Sequence, residues 1–204
     1  MPGDVLRRHG GVPMLKSALR WLPFLLIAML AVPGCGGAKK GAATALAAAE
    51  GEYAKIVEAV KNLAPDQDTE ITNAFTAAHE ALAKGEFATA AQAAKDLMSR
   101  IKTLGESLPG LRTQLEGDWK QLSTIVPGAL AALDKRLEDY GQPPAGMPGR
   151  EKFDAASAAL DRMNTQWGEA QTLGASGKLA QAVALANQVK DEAVKVITDF
   201  QEGS

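Results

Sequence analysis

A single cysteine, Cys35, stands among 204 residues, so no intramolecular disulfide can brace this chain. Aromatic residues, which favour strands, make up only 5% of it. Alanine is abundant instead, which favours closely packed helices over a β-sandwich. Histidine is nearly absent: His79 is the only one beyond residue 34. One histidine and one cysteine cannot assemble a Cys/His zinc site, and a haem-attachment motif is lacking. His79-Glu80 is not followed by a second histidine one helical turn on, which excludes the helical zinc-protease arrangement. A Ser–His triad would have to rely on His79, which falls beside the apolar positions Phe75 and Leu82 as a boundary residue. The expectation is therefore no catalytic, metal or cofactor-binding residue. Long apolar runs are missing too. The longest, Trp21 to Val32, has twelve residues and as a helix spans roughly 18 Å against a hydrocarbon core of ~30 Å.

That short run has a definite context. Lys16 and Arg20 precede it and small residues follow it, the basic–apolar–small order of a signal peptide. Met14-Leu-Lys-Ser-Ala-Leu-Arg begins a signal of ordinary proportions, so Met14 is the expected true start. Arg7-Arg8 would suggest a twin-arginine signal, but no apolar residues follow promptly. Immediately after the run comes Val32-Pro33-Gly34-Cys35, which resembles the lipobox of bacterial lipoproteins; Val32 and Gly34 fit that pattern and Pro33 departs from it. The resemblance implies cleavage before Cys35, diacylglycerol on its thiol and anchoring in a membrane. With two or three acyl chains such anchoring is stable, at ~0.8 kcal/mol per buried CH₂. Gly36 follows in place of the aspartate that in this class signals inner-membrane retention, which implies an outer-membrane protein facing the periplasm where the host has an outer membrane. The expected organisation is 1–34 signal peptide, 35–43 lipidated tether and 44–204 helical domain. The Gly/Ala/Lys composition of residues 36–43 makes the tether flexible by expectation.

Removal of residues 1–34 takes away Arg7, Arg8, Lys16, Arg20 and Asp4, leaving 18 basic and 23 acidic residues and a net charge of −5. Nucleic acid, which is bound through clustered Lys and Arg, is excluded as a partner, and so is a polybasic membrane patch.

The remainder is periodic. Apolar residues recur three or four apart at Leu46, Ala49, Tyr53, Ile56, Val60 and Leu63, ended by Ala64-Pro65-Asp66. A second helix, capped by Thr69, carries Ile71, Phe75, Ala78 and Leu82 and ends at Lys84-Gly85. A third carries Phe87, Ala90, Ala94, Leu97, Ile101 and Leu104, and Gly105 to Pro109 is expected to end it. From Leu111 a stripe runs through Trp119, Val126 and Leu133 to Tyr140, with Pro127 inside it as either a kink or a break. Gly141 to Gly149 is a loop, followed by helices over roughly 151–175 and 178–200. The fold class is all-α, with five or six antiparallel helices in a bundle.

Two segments echo each other. Ala83-Lys-Gly-Glu-Phe-Ala-Thr-Ala matches Ala175-Ser-Gly-Lys-Leu-Ala-Gln-Ala at an offset of 92, which also aligns Ile71 with Met163, Phe75 with Trp167 and Leu97 with Val189. Each is a helix, a glycine turn and an alanine-rich helix, so the pattern reads as two related helical hairpins. It resembles uncharacterised alanine-rich helical lipoproteins and, distantly, the hairpins of tetratricopeptide arrays, without their large-aromatic signature.

Three functions fit these constraints. The first is a non-enzymatic module that binds or scaffolds an envelope protein. The second is a carrier holding an apolar ligand between helices, for which a cavity lined by Trp119, Trp167 or Phe75 would speak. The third is a hydrolase running on a carboxylate pair, Glu116/Asp118, Glu138/Asp139 or Asp191/Glu192.

Overall fold

A computed structural model describes residues 35–201 apart from Pro148. The signal peptide, the Met14 start and lipobox positions 32–34 lie outside the described residues. Five helices and no strand occur among the described residues: α1 (Cys35–Leu63), α2 (Pro65–Ala83), α3 (Phe87–Tyr140), α4 (Arg150–Ala175) and α5 (Leu179–Gln201). The chain is an all-α bundle. All the packing that follows belongs to one compact unit, Ala38–Ser204.

Three boundaries differ from the sequence-based expectation. Residues 36–43 are not a loose tether but the first turns of α1, and Ala42 is buried against Ala81 and Ala90. Alanine's helix propensity and that small apolar contact outweigh the glycines. Secondly, α2 starts at Pro65, not near Thr69. Proline suits the first helical position, where its missing N–H costs nothing, and Asp66 and Asp68 favour the positive helix end. Thr69 instead donates back to the Pro65 carbonyl at 3.3 Å. Thirdly, Gly105–Pro109 does not end a helix. The 54 residues of α3 run unbroken through Pro109 and Pro127, about 80 Å of helix. Both prolines are followed by glycine and lie 18 residues apart, five full turns, so both sit on one side of α3; Pro109 is exposed. Water can pair a carbonyl that proline orphans on a solvent-facing side, while Leu108, Leu115, Val126 and Leu133 stay buried on the other.

The side-chain contacts set the topology. Tyr53 donates to Asp68 at 2.5 Å and Glu50 pairs with His79 at 2.6 Å, so α1 and α2 run antiparallel. Arg100 of α3 bonds both Gln67 and Glu70 of α2, while Ile56 of α1 abuts Gly105. Together α1, α2 and the first half of α3 make one three-helix bundle. The second half of α3 makes another with α4 and α5, through the Trp119–Trp167 stack, the Tyr140–Phe200 edge contact and the Arg162–Glu192 ion pair. Thus α3 is the wall both bundles share, and one apolar core threads through it.

The two hairpins are equivalent bond for bond. At the first turn the N–H groups of Lys84, Gly85 and Glu86 donate to the carbonyls of Glu80, Leu82 and Ala81. At the second, those of Ser176, Gly177 and Lys178 donate to Thr172, Gly174 and Leu173, each pair displaced by 92. Both are Schellman caps, which need a left-handed residue; Gly85 has φ 81° and Gly177 φ 79°. Buried Ile71, Phe75, Ala94 and Leu97 correspond to buried Met163, Trp167, Ala186 and Val189. Even the ion pairs correspond with their signs exchanged: Glu70 with Arg100, Arg162 with Glu192. Valine at Gly85 or at Gly177 is expected to cost about 1–2 kcal/mol, since a β-branched side chain opposes positive φ. Chemical denaturation of each variant checks this, and alanine at exposed Gly51, which lies mid-helix, is the control that should not destabilise.

Candidate partner-binding groove

The core is filled. Apolar side chains alone make up the buried residues among those described, and Leu46, Ile71, Leu133 and Met163 are fully enclosed. Trp119 and Trp167 stack on each other, ring centroids 5.6 Å apart at 29°, and Tyr53 tilts against Phe75 at 5.9 Å. Gly174 lets the Trp119 indole lie against α4; a Cβ there would fall 2.8 Å from the ring. The aromatic residues singled out as ligand platforms therefore spend their faces on one another. Burial, reinforced by the hydrogen bond to Asp68 and its charge, pushes the Tyr53 hydroxyl pKa up from the ordinary tyrosine value, so it stays a donor.

The titratable candidates are dispersed over the surface. His79 is exposed beside Glu50. Asp139 pairs with Lys135, Asp191 with Lys190 and Glu192 with Arg162. Asp118 borders a cleft between α3 and α5 with Asn187 and Lys190, and Glu138 borders another with Asp134 and Asp161, all three exposed. Among the described residues no group of three His, Cys, Asp or Glu side chains is placed to hold a metal ion, and no helix is long and apolar enough to cross a membrane.

One surface feature stands apart. Between α2 and α3 runs an open groove of about 690 Å³, floored by Ala74, Ala78, Ala81, Ala93 and Leu97 and rimmed by Ala77 and Thr89. Its charged residues, Asp96 and Arg100, sit at one end, and Arg100 is already engaged by Gln67 and Glu70. A roomier cleft between α1 and α3 is bordered by four charges, Glu52, Lys55, Lys102 and Glu106, and is correspondingly less suited to apolar contact. Comparison with the second hairpin isolates what is particular about the α2/α3 groove. At the positions of Ala74, Ala77, Ala81, Thr89 and Ala93 the α4/α5 hairpin carries Gln166, Glu169, Leu173, Gln181 and Leu185. The same backbone is thus furnished twice, with larger side chains at these five positions of the second hairpin and small ones here; the cleft that α4 and α5 do form lies elsewhere, beside Ala155, Ala156, Val196 and Phe200. Periodicity marks these alanines only as helix formers; the signal that separates them is the side-by-side reading of the two hairpins. No known protein family, curated protein or solved structure matches the chain.

Proposed function

We propose that this chain is an envelope lipoprotein, anchored through a lipid on Cys35, whose helical domain binds another envelope protein without chemistry of its own. The observation that carries the reading is the alanine-floored groove between α2 and α3. Its occupant is an amphipathic helix of the partner. Alanine rows let helix backbones approach closely, and a helix laid in a furrow between two others buries its apolar stripe against them. Thr89 and Ala77 on the rim are exposed, so a partner reaches them without any rearrangement of the core.

The test places a photo-reactive residue at Thr89 in the native host. A discrete adduct is expected, mapping to an apolar stripe of a helix in one envelope protein. Ala77→Glu should reduce that adduct at least about ten-fold by putting a charge into the groove, with folding stability changed by no more than about 0.5 kcal/mol. A probe at Gln181, the corresponding rim position of the second hairpin, should give no such adduct. An adduct indifferent to Ala77→Glu, or equally strong from Gln181, sinks the groove as the docking site.

A further inference from the structure

We propose that residues 105–117 of α3 are a hinge on which the two three-helix bundles bend relative to each other. The contacts locate the junction. On one side, α1 and α2 are tied to α3 at Ala90, Arg100 and Gly105, and the α1–α2 connection lies beyond Arg100, since Gln67 is already at the start of α2. On the other, the end of α4 is tied to α3 at Trp119, where Gly174 meets its ring, so the Gly177 turn lies just short of that level. Past Gly105 only the last turns of α1, which runs parallel to α3 and ends at buried Leu63, remain on the first bundle's side before the long helix enters the second.

The composition of that stretch is the poorest helix-forming sequence in α3: Gly105, Pro109, Gly110 and Gly117 all fall within it. Pro109 has no N–H, so the Gly105 carbonyl loses its helical partner. Pro109 and Gly110 are exposed, which lets water take that carbonyl when the segment bends. Buried Leu108 and Leu115 mark the opposite side of the helix as the pivot.

Pro127-Gly128 is the internal control. The same dipeptide occurs on the same side of the same helix, but Val126, Leu130 and Leu133 around it are buried in the second bundle. Pro127 and Gly128 are themselves exposed, as Pro109 and Gly110 are, but four buried residues (Leu122, Val126, Leu130 and Leu133) hold the helix around them, against Leu108 and Leu115 alone within 105–117.

Amide hydrogen exchange on the full chain, read by mass spectrometry alongside small-angle scattering, tests this. Amides of residues 110–117 should exchange at least about ten-fold faster than those of residues 126–133 in the same helix. In the Pro109→Ala/Gly110→Ala variant that difference should largely vanish, and the spread of maximum dimensions in scattering should narrow. Pro127→Ala/Gly128→Ala should leave exchange at 110–117 unchanged. Equal protection across 97–133 in the unaltered chain overturns the hinge. So does fast exchange at 110–117 with the same scattering dimensions in unaltered and Pro109→Ala/Gly110→Ala chains, which would be local fraying without bending.

Discussion

Trp167→Ala should remove about 3–5 kcal/mol of folding free energy, a large part of the ~5–15 kcal/mol that holds a domain of this kind together. The side chain is only 9% exposed and its indole is the stacking partner of Trp119, so truncation leaves both a cavity and an unsupported ring. The damage falls where α3 and α4 meet, because Gly174 has no side chain with which to fill the gap. Phe75→Ala, at the corresponding place in the first hairpin, should cost a comparable amount through lost contact with Tyr53. Urea denaturation followed by tryptophan fluorescence measures the first, and circular dichroism the second. A cost below about 1 kcal/mol for either would show that the ring is not a packing element, and would favour a ligand held between the helices.

The second large effect concerns the anchor. Cys35→Ser is expected to abolish incorporation of an alkyne fatty acid and to leave the precursor uncleaved, because the hydroxyl cannot take the place of the acylated thiol. With no lipid, the ~0.8 kcal/mol per buried CH₂ that each acyl chain contributes is lost entirely. A processed, shorter serine variant that still partitions into detergent would mean that the chain is held by something other than Cys35.

How far the sequence carried depends on what each signal measures. The apolar stripe of α2 marked Ile71, Phe75, Ala78 and Leu82, of which the first three are buried and Leu82 is half-buried beside buried Ala81, because a 3.6-residue period reports directly which face is excluded from water. The glycine turns were legible for the same kind of reason: Gly85 and Gly177 each follow the last apolar residue of a stripe, where a Schellman cap needs positive φ. Gly105-Glu-Ser-Leu-Pro109 misled because proline and glycine report local preference alone. What overrides it is the burial of Leu108 and Leu115 in a core to which all five helices contribute, which local preference does not report. The start of α1 misled in the same way, as Ala42 meets Ala81 and Ala90 only once α1 folds back beside the second and third helices. The groove was the least legible feature. An alanine on a surface face and an alanine on a groove floor look alike in one dimension, and only the aligned hairpins tell Ala93 from Leu185.

The sharing of α3 has a consequence for how such a chain is built. Helices adjacent in sequence lie against each other throughout, and the remaining contacts skip a single helix, α1 to α3 and α3 to α5. Contacts this local favour fast folding, with each hairpin able to close before the rest arrives. They also make the architecture open-ended. The helix that completes one bundle opens the next, so a further hairpin appended after α5 would need only that α5 be lengthened, and nothing already packed would have to move. In linear assemblies of this type stability accumulates from unit to neighbouring unit, and length is a free variable.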